Sequence, residues 1–126
     1  MSKVLAVSAL AIMALAAAAN PALASEGDAA SGEKIFAKCK ICHSLDAGKN
    51  LVGPSLSGVM GRKSGTVAGF KYSDAMTGKA LVWNDENLEK YLKDPKGFIP
   101  NNKMVFPGLK EKEADDVIAY LKKAAK

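Results

Sequence analysis

Histidine occurs once in this chain of 126 residues, and cysteine only twice. Both scarcities narrow the chemistry. A site built on two histidines is excluded, and a zinc ion, which wants four ligands, would have to recruit an unidentified carboxylate. Strand signals are missing as well. No segment alternates cleanly between apolar and polar residues, no internal repeat is present, and no βαβ pattern surrounds the cysteines, so a thioredoxin-like redox motif lacks its setting. Aromatic residues make up 6% of the chain and few interleave with the lysines, which argues against stacking on nucleic acid. The longest apolar run, Val4 to Ala19, is broken only by Ser8 and falls short of the roughly 20 residues that usually span a bilayer.

That run reads better as a leader. Lys3 and the amino terminus give it a short positive start, and Pro21-Ala22-Leu23-Ala24 ends in the small residues of an Ala-x-Ala cleavage site. Residues 1–24 are therefore expected to be a cleavable secretory signal, with an uncleaved membrane anchor as the alternative. Residues 25–126 would then form one small domain, expected to be exported to the periplasm as a soluble protein. Lys and Arg number 18 against 13 Asp and Glu, a net charge of +5, and every cation except Arg62 is lysine. Losing the leader removes one of these charges, Lys3. The remaining excess points to an acidic protein partner.

The segment Lys38-Cys39-Lys40-Ile41-Cys42-His43 organises the rest. Two thiols three positions apart, with an imidazole directly after the second, are the attachment pattern of a c-type haem. The thiols would add across the haem vinyl groups as thioethers, and His43 would place a ring nitrogen on the iron. Such a macrocycle would also staple a domain of about 100 residues, which buries little apolar area on its own.

Around this motif the sequence predicts short helices and long loops. Asp28 is the better N-cap for a first helix from Ala29 or Ala30 to Lys38, whose Gly32 would let another helix come close. Glycines and Pro54 mark residues 44–69 as loop, a length acceptable only if the loop wraps a cofactor. Ser73 caps a turn ending at Gly78, and Asn84 caps a helix from Asp85 to Lys93 stopped by Pro95. Lys96 to Leu109 reads as a loop stiffened by proline. The strongest helix, about Lys110 to Lys123, carries the stripe Ala114, Val117, Ile118 and Leu121, with acids near its start and lysines near its end.

With a single histidine, the second axial ligand must be another residue type. Methionine is the usual choice in electron-transfer sites, and Met60, Met76 and Met104 are available, although filling the core is the commoner use of any one methionine. Met104 is the best placed, between Pro100 and Pro107 and far enough along the chain to pass round the haem edge. Lys103 is a rival ligand at alkaline pH.

These residues, together with others in order, resemble the class I cytochromes c, in particular bacterial cytochrome c2 and mitochondrial-type cytochrome c. The resemblance covers about Gly27 to Lys126. It is carried by Gly32 and Phe36, Cys-Lys-Ile-Cys-His, Val52-Gly53-Pro54-Ser55-Leu56, Gly61-Arg62-Lys63, Gly69-Phe70-Lys71-Tyr72-Ser73-Asp74-Ala75, Trp83, Tyr91-Leu92-Lys93-Asp94-Pro95, and Ile99-Pro100-Asn101-Asn102-Lys103-Met104-Val105-Phe106-Pro107-Gly108. It implies the all-α cytochrome c fold, with three to five short helices and long loops wrapped around one covalently attached haem c. It also implies Met104 as the sixth ligand, and Pro54 presenting its carbonyl to the His43 ring N–H. Arg62, Tyr72 and Trp83 would act as donors around the haem propionates. Tyr91 would lie near the ligating sulfur, Phe106 at the haem edge, and Gly32 and Phe36 would cross the last helix near Val117 and Tyr120. Met76 departs from many mitochondrial relatives, which carry asparagine there.

The function so implied is one-electron transfer without substrate turnover, by a monomer that touches membranes only through its partner complexes. A cytochrome bc1 complex would be the donor, and a photosynthetic reaction centre or terminal oxidase the acceptor. Lys38, Lys40, Lys49, Lys96, Lys103 and Lys110 are expected to include several that steer docking onto acidic faces. The rival functions are gas binding or peroxidase-like chemistry at an open iron position, and thiol chemistry at Cys39 and Cys42 without haem.

Overall fold

The computed structural model describes residues 27–126. The expected leader therefore lies outside the described residues. Five helices follow in order: α1 (Ala29–Phe36), α2 (Asp74–Lys79), α3 (Asp85–Lys93), α4 (Pro95–Phe98) and α5 (Glu111–Ala124). Among the described residues the only β pairing is an isolated antiparallel bridge between Lys63 and Val82. No helix there is long and apolar enough to cross a membrane.

The scaffold is a crossing of the first and last helices, braced by α3 on α5. Asp28 caps α1 by accepting from the Ala30 N–H (3.2 Å), as its position predicts. Gly32 makes the crossing possible. A Cβ there would overlap the Asp116 carbonyl of α5 and lie 3.0 Å from the Tyr120 Cβ, so only a bare backbone fits. One turn on, Phe36 is 1% exposed and stacks tilted on Tyr120 at 5.3 Å between ring centroids. Burying a side chain of that size contributes about 1.5–3 kcal/mol. Asp116, itself buried, ties the helices at the other edge by accepting from the Asp28 N–H (2.8 Å) and from Lys112 Nζ (3.2 Å). The expected stripe of α5, Ala114, Val117, Ile118 and Leu121, is buried throughout.

Three boundaries differ from expectation. α1 stops at Phe36, and the chain runs on in turns through the cysteines. α2 begins after its Ser73 cap as expected but continues through Gly78 to Lys79. It ends on Ala80, which takes the left-handed conformation at φ 46°. Ala80 is held there because the next residue, Leu81, is clamped by Ser64: the Leu81 N–H donates to Ser64 Oγ (3.0 Å) and the Ser64 N–H to the Leu81 carbonyl (2.7 Å). The segment expected to be all loop opens with α4. Asp94 accepts from the Gly97 N–H (3.0 Å) as N-cap and Pro95 occupies the first helical position, where its missing N–H costs nothing.

Candidate functional site

The turns after Phe36 place the motif. The Cys39 N–H donates to the Phe36 carbonyl (2.8 Å), and the Cys42 and His43 N–H groups both donate to the Cys39 carbonyl (3.1 and 2.8 Å). This winding carries both thiols and the imidazole to one cleft of about 250 Å³, whose walls include Phe36, Leu88, Val117 and Leu121. The thiols are free and half-buried. Burial pushes the Cys39 pKa up, so that thiol stays protonated at neutral pH.

His43 is held on two sides. Its Nδ1–H donates to the Pro54 carbonyl (2.7 Å), which leaves Nε2 as the bare nitrogen of the neutral ring. Burial holds its pKa below the ordinary value despite that bond, and the Arg62 charge pushes the same way, so the lone pair is available at pH 7. Gly53 lies against the ring face: a Cβ at that position would sit 2.7 Å from Nδ1 and 2.8 Å from Nε2.

The residues assigned by resemblance to the propionate region also line the cleft. The bridge between Lys63 and Val82 sets two of them, because the Trp83 N–H donates to the Arg62 carbonyl and the Gly61 N–H to the Trp83 carbonyl, both at 2.8 Å. Arg62 Nη1 donates to the Ser55 and Ser57 carbonyls (3.0 Å each), leaving its other N–H groups free of those bonds. Tyr72 accepts at its hydroxyl from the Val67 N–H (3.0 Å), so its own proton remains to be given. Among the described residues the Trp83 indole N–H meets no protein acceptor. No buried side-chain nitrogen or oxygen there is left without a partner, so that N–H is not sealed from solvent, and its residue lines the cleft.

Met104 and Met76 both line the cleft, whereas Met60 packs against the core elsewhere. Tyr91 and Phe106 line it too, and burial pushes the Tyr91 pKa up to about 12. Lys103, the rival ligand, lines the cleft and donates from Nζ to the Lys71 carbonyl (3.4 Å).

Sequence reasoning gave no role to Asn102, yet its side chain makes four hydrogen bonds at the base of the Met104 loop. The signal was present: an asparagine two residues before a loop position accepts readily from that position's N–H.

The donor set, two thiols, an oriented imidazole nitrogen and a thioether on an apolar cleft with unspent N–H and O–H groups, fits a haem. A bare metal ion would need more. Among the described residues no group of three or more His, Cys, Asp and Glu side chains gathers to hold one.

Comparison with known proteins agrees. The family model for cytochrome c matches residues 29–125. Cytochrome c2 iso-2 of Magnetospirillum fulvum is 58% identical over 94 residues, covering 74% of this chain and 98% of that protein. Cytochrome c of Nigella damascena is 49% identical over 104 residues, 80% of this chain and 94% of its own. The structure of cytochrome cH from Methylobacterium extorquens superposes with a TM-score of 0.72 at 50% identity, covering 77% of this chain and 99% of that one.

Proposed function

The chain belongs to the cytochrome c family, and from that premise we propose that it is an exported one-electron carrier whose iron is held by His43 and Met104. Its cofactor is one covalently attached haem c, and electron transfer is the family's usual role. When bound, the haem supplies the one-electron chemistry by alternating between ferrous and ferric iron.

The observation that carries the reading is the convergence on one apolar cleft of both thiols, the Met104 thioether and a histidine whose Nε2 is freed by its bond to Pro54. Cys39 and Cys42 would form the thioether attachments. His43 and Met104 would both hold the iron, which leaves no place for a substrate and favours the reduced state. Arg62, Tyr72 and Trp83 would donate to the propionates, lowering the cost of burying that charge. Tyr91 and Phe106 would exclude water beside the thioether.

Docking would occur where the cleft opens. Lys38 and Lys103 stand at its lining beside the exposed Val52 (78%) and Val105 (96%), and Lys40, Lys49, Lys96 and Lys110 are exposed as well. An acidic face with an apolar centre matches that surface, as the electron-exchanging faces of a cytochrome bc1 complex and of a reaction centre or terminal oxidase would provide. The protein would work as a monomer in the periplasm after loss of residues 1–24. Two measurements test this. Electron exchange with an acidic redox partner should slow as salt is added, and a rate indifferent to ionic strength would refute the steering. The ferrous protein should keep its spectrum under carbon monoxide; a changed spectrum would favour gas binding at an open position.

A further inference from the structure

We propose that Asn102 is a positioning residue, the latch that holds the Met104 backbone in ligating register and so keeps small external ligands from the iron. The inference rests on the reading of Met104 as a ligand and assigns the control of that ligand to a side chain outside the metal's reach. Asn102 Oδ1 accepts from the Met104 N–H (2.8 Å) and from the Tyr91 hydroxyl (3.3 Å). Its Nδ2 donates to the Pro95 carbonyl (2.8 Å) and the Ile99 carbonyl (2.7 Å). The amide thus uses both donors and two acceptor positions, all that such a side chain ordinarily offers. The network also fixes its orientation. A flipped amide would set its oxygen against two carbonyls and its NH2 against the Met104 N–H.

The geometry joins three parts of the molecule at one point. Tyr91 belongs to α3, Pro95 and Ile99 bracket α4, and Met104 follows two residues on. The backbone repeats the link, since the Asn102 N–H donates to the Ile99 carbonyl (3.2 Å). Asn101, just before, takes a left-handed turn at φ 67°. Only the Asn102 side chain ties the Met104 N–H into this frame. Without it the segment from Lys103 to Pro107 would be held by its ends: the Lys103 contact to Lys71 and the bond from the Leu109 N–H to the Leu92 carbonyl (2.8 Å). A ligand that leaves the iron more often is replaced more readily, because apparent affinity for a competitor scales with the fraction of open states.

The test is imidazole binding to the ferric holoprotein, followed through loss of the weak far-red iron–thioether band. Asn102→Ala removes all four bonds. Asn102→Asp keeps the shape and the acceptor for Met104 but replaces the NH2, with its two donors, by one oxygen facing two carbonyls. Both variants are expected to bind imidazole about tenfold more tightly than the wild type, the effect of losing a buried hydrogen bond. Ile118→Val, a core trim on α5 away from the cleft lining, lowers overall stability and should leave imidazole affinity within about twofold. Wild-type affinity in both Asn102 variants, normal behaviour in the isosteric Asp variant, or an equal rise in Ile118→Val would each overturn the latch while the far-red band persists. Absence of that band in the wild type would overturn Met104 ligation itself, and the latch with it.

Discussion

Replacing Gly53 by alanine tests the placement of His43 from the least expected side. The φ of Gly53 is not in the left-handed region, so its backbone accepts an L side chain, and on that ground alone alanine would stabilise the protein by about 0.4–1 kcal/mol through the unfolded chain. Space forbids it. The new methyl would lie 2.7 and 2.8 Å from the two ring nitrogens of His43, well inside the ~3.5–4 Å of a normal contact. The backbone cannot swing away, because the Gly53 N–H donates to the Cys42 carbonyl (2.8 Å) and its carbonyl accepts from the Leu51 N–H (2.9 Å). The ring must therefore yield, straining its bond to the Pro54 carbonyl. Overpacking of this kind costs about 1–3 kcal/mol, which leaves a net loss of about 1–2 kcal/mol after the unfolded-state gain. In a domain of this size that lowers the melting temperature by about 4–16 °C. Thermal unfolding of the holoprotein followed by far-UV circular dichroism reads the loss, and electron paramagnetic resonance of the ferric form should report a turned imidazole. A variant melting at or above the wild type with unchanged resonance would refute the reasoning.

The opposite exchange should have the opposite sign elsewhere. Ala80→Gly relieves a left-handed alanine at φ 46° and should stabilise by up to about 1 kcal/mol in denaturant titration, whereas a loss would mean that Ala80 is not strained. Asp116→Ala strips the Asp28 N–H of its acceptor between α1 and α5 and should cost about 1–2 kcal/mol by the same titration. Glu89 has a pKa pushed up to about 7, first by the neighbouring Asp115 carboxyl, then by burial and by Glu111, with Lys93 the nearby cation at 3.8 Å. The folded state therefore holds that proton more tightly than the unfolded chain, and stability falls as pH rises from about 4.5 through 7. Glu89→Gln should melt progressively higher relative to the wild type across that window, and a constant difference would contradict the shared-proton picture.

The parts legible in the sequence were those decided locally. Asp28, Ser73 and Asn84 cap the helices they were expected to cap, because a short polar side chain before an amphipathic run satisfies N–H groups within its own turn. The motif from Cys39 to His43 carries its own geometry in its spacing, and its neighbours across the cleft were reached through family resemblance. What escaped depended on distant partners. Ala80, not Gly78, ends α2 because Ser64 grips Leu81 across the loop, a contact no local pattern announces. α4 reads locally as loop although Asp94 and Pro95 are a helix start, since four residues leave no room for an apolar period. Position along the chain favoured Met104 among the three methionines, but only the fold puts Met76 on the same cleft and leaves Met60 off its lining. Asn102 was visible as a residue but not as a hub, because its four partners come from three segments.

The most direct test of His43/Met104 ligation is the optical spectrum of the ferric protein, taken with wild type, Met104→Ala and Met76→Ala, and repeated after denaturation to see whether haem stays bound. The haem should survive denaturation, and the weak far-red band should be present in the wild type and in Met76→Ala but lost in Met104→Ala. A band that persists without Met104, or haem that washes away from Cys39 and Cys42 on denaturation, would contradict it.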